Sequence, residues 1–271
     1  MVIKAEKGTD ELLPAEVYEV CDGTWVEEAD SHHILINLYP KSVDGLLSLL
    51  AKSGLPYEVV SIREEEDRDY VALIKKHFTP ISVGNITILP PWKKSLKAGP
   101  KIIIDPGMAF GTGRHESTRI MLRMMRAIKL EGMSVLDIGC GSGILAIYAY
   151  MMGASRVVAA DHDICAVEAV GTNATLNSAG HIEALCADIG DLKGQFDVVL
   201  ANLDAMTFSN YSTHIVGLVK DQGLLLVSGI EASQKDAALP LFSNLRRVSQ
   251  RRMNDWYGFT FQKDERFSSH E

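Results

Sequence analysis

The chain has 271 residues, of which 46% are hydrophobic and 23% are charged, a composition typical of a globular protein with one large or two modest domains. Its formal net charge of −8 argues against sequence-independent nucleic-acid binding, since binding to phosphates requires a cationic surface. No apolar run approaches the roughly 18 residues of a membrane span, and the N-terminal segment has no apolar signal-peptide core. We therefore expect neither a membrane nor a nucleic-acid partner.

The four cysteines are scattered along the chain without C-x-x-C spacing, at Cys21, Cys140, Cys165 and Cys186. This distribution favours a reduced protein over a disulfide or zinc scaffold. We expect a cytoplasmic protein without a metal site, and we expect it to be a monomer.

The N-terminal part of the chain predicts a small α/β domain over residues 1–65. Strand-like segments at 32–39 and 57–62 flank a helical pattern at 42–54, in which apolar residues recur at i, i+3, i+4 and i+7. Gly54 suits the end of that helix. A strand–helix–strand unit of this size is small for a stable domain, so we expect a further strand before it.

Residues 66–104 predict a linker with connecting strands. A helical pattern occupies 70–78, and one or two strands follow at 81–92. From residue 105 to 271 we expect a separate catalytic domain.

The C-terminal domain shows a regular alternation of strands and helices. Its strands are continuous apolar runs, which indicates burial on both faces of a parallel sheet. The expected strands are 133–138, 156–161, 182–188, 196–202 and 223–230, and the expected helices between them are 143–152, 163–177, 205–219 and 232–243. Residues 245–262 predict a terminal antiparallel hairpin. Together these elements predict an α/β fold with a doubly wound, mostly parallel, seven-stranded Rossmann-like sheet.

A glycine cluster, VLDIGCGSGILA at 135–146, lies at the corner between the first strand and the first helix of this alternation. Ligands bind at such corners in open α/β sheets. Gly139, Gly141 and Gly143 give G-x-G-x-G after Asp137, whereas a dinucleotide site has G-x-G-x-x-G and a phosphate loop needs G-K-[ST]. The D-x-G-x-G-x-G form resembles motif I of the class I S-adenosylmethionine-dependent methyltransferases, in which the glycines let the backbone approach the cofactor.

The next strand ends at Asp161, 22 residues after Gly139. An acid at this position can accept hydrogen bonds from both ribose hydroxyls of a nucleoside cofactor. Taken alone, Asp161 could also be the N-cap of the following helix, as could Asp163. NAD would use the same acid, so only the spacing of the glycine loop separates the two cofactors.

A second glycine-rich segment, IDPGMAFGTGRHESTR at 104–119, precedes a helix predicted over 116–130. If that helix packs antiparallel on the strand 133–138, its N-terminus lies near the glycine cluster. The segment would then form a lid or wall over the same crevice.

These segments together strongly resemble the ribosomal protein L-eleven methyltransferase family (PrmA). The resemblance is carried by DPGMAFGTGRHESTR, LDIGCGSGILAI, AADHDICAVEAVGTNATLN and DVVLANL, and it covers about 70–262. It implies that S-adenosylmethionine is the cofactor and that the small N-terminal domain recognises a protein substrate. The cofactor contacts that it implies are Thr118, Gly139, Gly141, Gly143, Asp161, Asp188 and Asn202.

The same resemblance implies transfer of a methyl group to an amine, a lysine side chain or an α-amine, of a large-subunit ribosomal protein. Phe110, Thr112 and His115 would line the lid near the reacting methyl group, and Asn202 would orient the amine. The alternative roles are wall packing for Phe110, helix-terminal packing for His115 and a simple turn for Asp188. Three other functions stay open: a methyltransferase of a small-molecule amine, more remotely an NAD(P)-dependent oxidoreductase, and a non-catalytic module that binds the cofactor but transfers nothing.

Overall fold

The structure is a computed structural model that describes residues 1–7, 9, 13–14, 17, 20–30, 32–62, 80–93, 99–105 and 113–264. The chain divides into two compact units, Met1–Ile74 and Lys75–Glu271. The strands at 81–103, which the sequence assigns to a separate linker, belong to the second unit in this division. The helix predicted at 70–78 lies outside the described residues.

The first unit is a four-stranded antiparallel sheet covered by a helix. The strands follow the order β2-β3-β1-β4 and comprise β1 (Val2–Glu6), β2 (Cys21–Glu28), β3 (His33–Pro40) and β4 (Glu58–Ser61). Helix α1 (Val43–Ser53) begins at Ser42, whose hydroxyl accepts the Gly45 N–H at 3.3 Å, and it ends at Gly54 with a φ of 68°. The fully buried Leu46 and Leu50 of this helix pack on the sheet. The predicted strand–helix–strand core and its additional strand are confirmed.

A short three-stranded sheet opens the second unit. It has the order β5-β6-β7 and comprises β5 (Ile81–Val83), β6 (Ile86–Leu89) and β7 (Lys101–Ile103). Strands β5 and β6 form a hairpin that turns at Gly84, where φ is 64°. β7 runs parallel to β6 and leads into the first glycine-rich segment.

The main sheet has seven strands in the order β10-β9-β8-β11-β12-β14-β13. They are β8 (Ser134–Ile138), β9 (Arg156–Asp161), β10 (Ile182–Cys186), β11 (Phe196–Asn202), β12 (Val219–Glu231), β13 (Arg246–Met253) and β14 (Trp256–Gln262). The first five in the spatial order are parallel, while β14 and β13 form the predicted antiparallel hairpin. Because the order reverses between β8 and β11, a crevice opens at the carboxyl ends of these strands.

The helices of the second unit cover both faces of the main sheet. They are α2 (Glu116–Met125), α3 (Ile144–Met151), α4 (Ile164–Leu176), α5 (Ala205–Gly217) and α6 (Lys235–Ala238), and two 3₁₀ turns span Ile189–Asp191 and Leu239–Phe242. Two buried apolar clusters lie on opposite sides of the sheet. No helix within the described residues is both long and apolar enough to cross a membrane. The four cysteines are free thiols.

Two predicted helices are shorter than expected. The helix predicted to Leu130 ends at Met125, because the chain turns at Arg126 and Gly132 (φ 77°) to enter β8. The helix predicted over 232–243 is only α6 followed by a 3₁₀ turn that carries Pro240. Proline lacks a backbone N–H and its ring disrupts a helix interior, which explains the change of geometry there.

Helix α2 lies on a different part of the sheet from the one predicted. It packs on β11, β12 and the terminal hairpin, rather than antiparallel on β8. Gly258 of β14 gives the helix room, since a Cβ atom there would overlap Ile120 Cγ2 and lie 2.9 Å from Met124 Cε. The N-terminus of α2 still reaches the carboxyl edge of the sheet, because β11 and β8 are parallel neighbours.

A polar cluster joins the N-terminal ends of three strands of the main sheet, opposite their carboxyl ends. Asp197 Oδ2 accepts hydrogen bonds from the Ser134 N–H at 2.8 Å and from its hydroxyl at 2.6 Å, and Asp197 Oδ1 accepts one from Lys220 Nζ at 2.9 Å. Desolvation raises the pKa of Asp197, but the hydrogen bonds from Ser134 and Lys220 outweigh it and lower the pKa to about 2. The ionised carboxylate therefore stabilises the starts of β8, β11 and β12.

Substitution Asp197→Asn should lower the free energy of unfolding by about 1 kcal/mol at neutral pH, a value reduced for solvent screening because the side chain is 36% exposed. Since the folded pKa lies below the ordinary value of about 4, this contribution is present above about pH 4 and is lost as the pH falls toward 2. Urea denaturation at several pH values measures it. A difference between wild type and variant that stays constant from neutral pH to about pH 2 would contradict the assignment.

Candidate active site

The glycine loop between β8 and α3 folds over the end of β9. Gly139, Gly141 and Gly143 all have positive φ, of 64°, 49° and 76°, a region in which only glycine is unstrained. The N–H groups of Gly139 and Cys140 both donate to the Ala160 carbonyl, at 2.9 and 3.1 Å. The loop therefore lies at the switch point of the sheet, where the sequence predicts the cofactor site.

Asp161 at the end of β9 holds this loop in place. Its Oδ2 accepts the Gly141 N–H at 3.0 Å and its Oδ1 accepts the Asp163 N–H at 3.1 Å, while its side chain is 10% exposed. The N-cap of α4 is Asp163, whose Oδ1 accepts the Cys165 N–H at 2.8 Å, so Asp161 does not cap the helix. His162 Nδ1 also lies 3.4 Å from Asp161 Oδ1. Of the roughly four acceptor positions of a carboxylate, the second position on Oδ2 therefore has no partner among the described residues.

Asn202 and Thr118 join the end of β11 to the first turn of α2. Asn202 Nδ2 donates to Thr118 Oγ1 at 3.4 Å, and Thr118 is 1% exposed. Asn202 Oδ1 is buried and has no hydrogen-bond partner among the described residues. A buried acceptor without a partner costs stability, which makes this oxygen a candidate for contact with a ligand N–H group.

The first glycine-rich segment, of which the structure describes 104–105 and 113–119, approaches the glycine loop at 139–143. Gly113 has a φ of 82°, and a Cβ atom there would lie 2.6 Å from Ile88 Cδ1 and 3.1 Å from Ile144 Cδ1. Since Ile144 directly follows the glycine loop, the two segments meet as predicted. Phe110 and Thr112 lie outside the described residues, so their roles stay predictions.

A buried asparagine that the sequence did not single out connects both segments. Asn173 of α4 is 1% exposed, its Oδ1 accepts the Asp105 N–H at 2.8 Å, and its Nδ2 donates to the Ser142 carbonyl at 2.9 Å. One turn later, Asn177 bonds the N–H and the carbonyl of Ile103 at 2.8 and 2.6 Å. The sequence signal was available as two asparagines at i and i+4 in a helix, which place two amides on one face.

His115 is the N-cap of α2. Its Nδ1 accepts the Ser117 N–H at 3.3 Å and lies 2.8 Å from Ser117 Oγ. Its ring packs edge-on against Trp256 with the centroids 4.4 Å apart, and the neighbouring Asn254 donates to Glu116 at 3.0 Å. The structural role that the sequence left open for His115 is therefore present, and its catalytic role stays a prediction.

Asp188 lies in an exposed turn after β10. Its Oδ1 accepts the Gly190 N–H at 2.8 Å, and its Oδ2 accepts the Tyr211 hydroxyl at 3.4 Å. The turn role weighed for Asp188 is thus observed. Its predicted contact with the cofactor stays a prediction.

Asp137 is a buried acid beneath the glycine loop whose role the sequence did not assign. It is 1% exposed, its Oδ2 accepts the Ala146 N–H at 3.1 Å, and its Oδ1 has no partner among the described residues. Burial raises the pKa of Asp137 to about 8, with a smaller contribution from Asp161. A protonated carboxyl in this position can donate as well as accept hydrogen bonds.

A mostly parallel seven-stranded sheet, with a glycine loop after one strand and an acid after its neighbour, defines a class I methyltransferase fold. Residues 21–264 match the family model described as Ribosomal protein L11 methyltransferase (PrmA). The chain therefore belongs to the ribosomal protein L11 methyltransferase family.

Individual relatives agree with this membership. The chain is 37% identical to the ribosomal protein L11 methyltransferase of Caldicellulosiruptor saccharolyticus over 90% of its own length and 81% of the relative. It is 34% identical to that of Campylobacter concisus over 93% and 86% of the two chains. The crystal structure of a ribosomal protein L11 methylase from Lactobacillus delbrueckii subsp. bulgaricus superposes with a TM-score of 0.64 at 26% identity, covering 69% of this chain and all (100%) of that one. The family resemblance and the fold class read from the sequence are confirmed.

Substitution Asp137→Asn should remove a pH dependence of stability. A raised folded pKa means that the contribution of Asp137 is fully present below about pH 4 and is lost as the pH rises toward 8. The stability of the variant relative to wild type should therefore increase between about pH 5 and 8 and then level off. Chemical denaturation at about pH 5, 7 and 9 measures the difference.

Asp236→Asn is the matched control, since Asp236 is exposed in α6. Its difference from wild type should vary little over the same range. If Asp137→Asn showed the same flat profile as the control, Asp137 would be ionised in the folded protein and the assignment would be wrong.

Proposed function

We propose that this protein is an S-adenosylmethionine-dependent methyltransferase that methylates amino groups of ribosomal protein L11, at lysine side chains or the α-amine. Family membership supports the substrate class. At the level of residues, the observation that carries the proposal is Asn202 Oδ1, a buried acceptor with no hydrogen-bond partner in the part of the chain that the structure describes. It lies at the place where both glycine-rich segments meet. An amino group supplies the N–H donor that such an oxygen requires.

The residues at the carboxyl edge fit the proposed cofactor. The positive φ angles of Gly139 and Gly141 give the loop a backbone conformation that larger residues rarely adopt. Asp161 keeps an acceptor position on Oδ2 for a ribose hydroxyl. Thr118, Gly143, Asp188 and Asn202 complete the proposed set of contacts. When bound, S-adenosylmethionine supplies a methyl group that is already activated on a sulfonium.

Because the cofactor is activated, the task of the protein is to orient the amine, to keep it neutral and to exclude water. A lysine with a pKa of about 10.4 is neutral in only about one molecule in a thousand near pH 7.4. A desolvating mouth lowers that pKa. Asn202 Oδ1 would accept one amine N–H and so direct the nitrogen lone pair toward the methyl group. Phe110, Thr112 and His115 would form the wall around it.

The match to the family extends well into the first unit, since it begins at residue 21. This supports a protein acceptor, recognised by that unit, over a small-molecule amine. We also propose that the protein is a cytoplasmic monomer that contacts no nucleic acid directly. Its proposed domains are 1–65 and 105–271, joined by 66–104.

Incubation with labelled S-adenosylmethionine and purified ribosomal protein L11 should incorporate label into the protein. Mass spectrometry of proteolytic fragments then identifies the modified amines. The control is L11 whose amines have been blocked by acetylation, which turns them into non-nucleophilic amides. Label in free metabolites but in no ribosomal protein would support the small-molecule alternative, and tight binding of NADH without binding of S-adenosylhomocysteine would support an oxidoreductase.

Substitution Asp161→Ala should weaken binding of S-adenosylhomocysteine by about 1.5–3 kcal/mol, the usual range for charged hydrogen bonds, which is roughly ten- to a hundredfold in affinity. Isothermal titration calorimetry measures it. Asp163→Ala is the matched control, because it removes the helix cap two residues away and leaves the proposed ribose acceptor intact. Equal affinities for Asp161→Ala and wild type would exclude Asp161 from the ribose contact.

A further inference from the structure

The backbone of Leu203 rests directly on Gly229. Leu203 follows Asn202, and its N–H donates to the Ser228 carbonyl at 3.2 Å. A Cβ atom on Gly229 would lie 2.9 Å from the Leu203 carbonyl carbon, 3.2 Å from its nitrogen, and in overlap with its carbonyl oxygen. The neighbouring atoms are backbone, so they cannot move aside as the end of a flexible side chain could.

Gly229 is the extra residue of a β-bulge in β12. Ser228 pairs with Gly258 and Ile230 pairs with Tyr257 on β14, so Gly229 has no opposite residue, and its φ is 87°. On its other side β12 pairs with β11, and Ser228 is opposite Asn202. The bulge therefore lies beside the end of β11. β-Bulges redirect neighbouring chain segments and are frequent next to active sites.

The side chain of Leu203 has a second glycine contact. A Cβ atom on Gly139 would lie 2.5 Å from Leu203 Cδ2. Leu203 thus touches the bulge with its backbone and the cofactor loop with its side chain. Because Leu203 directly follows Asn202, the position of Leu203 constrains where the Asn202 amide lies relative to that loop.

We propose that Gly229 is a positioning residue for methyl transfer, because it seats Leu203 and thereby holds the Asn202 amide at the reacting amine. This inference rests on the proposed function, in which Asn202 orients the amine. A side chain at position 229 would displace Leu203 and move Asn202 with it. A displacement of about 1 Å in a positioning group can cost about a hundredfold in rate.

Gly229→Ala and Gly153→Ala form a matched pair of variants. Gly153 has nearly the same φ, 85°, but a Cβ atom there meets its neighbours only at the ordinary distance of 3.5 Å. Both variants therefore carry a similar cost of left-handed backbone, and only Gly229→Ala meets the Leu203 backbone.

The first measurement is the pair of side-chain amide resonances of Asn202 in the unliganded protein, assigned by their absence in Asn202→Asp. They should shift in Gly229→Ala and stay in place in Gly153→Ala. If Gly229→Ala does not fold, Gly229→Asn replaces it with Gly153→Asn as its control, because asparagine adopts a positive φ more readily than alanine and its Cβ atom meets the same Leu203 backbone. Unshifted Asn202 resonances in the folded variant would overturn the proposal.

The second measurement is kcat for methylation of ribosomal protein L11. It should fall at least about tenfold in Gly229→Ala and less than about twofold in Gly153→Ala. In an Asn202→Ala background, Gly229→Ala should lower kcat by less than about twofold, since the amide that Gly229 positions is absent. Fully additive losses would overturn the proposal. If wild type did not methylate L11, the proposed function would fail, while the resonance measurement would still judge the positioning of Asn202.

Discussion

Close approach of neighbouring residues to glycine backbone at the carboxyl edge of the main sheet is the constraint on which this site depends. Gly139 and Gly229 both touch Leu203 at distances that leave no room for a Cβ atom, and Gly113 does the same with Ile88. Each glycine admits a neighbouring segment that a larger residue would hold away. The loops after β8, β11 and β12 and the segment before α2 can therefore meet around one small volume.

The central strands β8, β9 and β11 of the main sheet were predictable because both of their faces are buried. Such strands are continuous apolar runs, and β9 and β11 have the predicted bounds. The end of α2 was not predictable in the same way, since the apolar pattern continues to the buried Leu130 although the helix stops at Met125. The packing of α2 on β11, β12 and β14 was also not predicted. Adjacency in the sequence favours packing on β8, and only the tertiary structure decides which strands the helix contacts.

The site was predictable where a motif fixes the backbone and less so where it depends on distant partners. The spacing of Gly139 and Asp161 located the loop and the strand end that they occupy. It could not decide between Asp161 and Asp163 as the N-cap of α4, because both precede the helix and the hydrogen bond alone assigns Asp163. The link that Asn173 makes between the two segments was not predicted, because its partner Asp105 lies 68 residues away in the sequence.

The contact between His115 and Trp256 has a consequence for synthesis of the chain. The N-terminus of α2 is held by the terminal hairpin through two contacts. His115 and Trp256 are 141 residues apart (256 − 115), and the hydrogen bond from Asn254 to Glu116 spans 138 residues. Contacts of such large sequence separation form late, because the intervening loop must first close. A nascent chain therefore lacks these two contacts beside the glycine loop until β13 and β14 have been translated, so the site is assembled by a part of the chain made long after the loop itself.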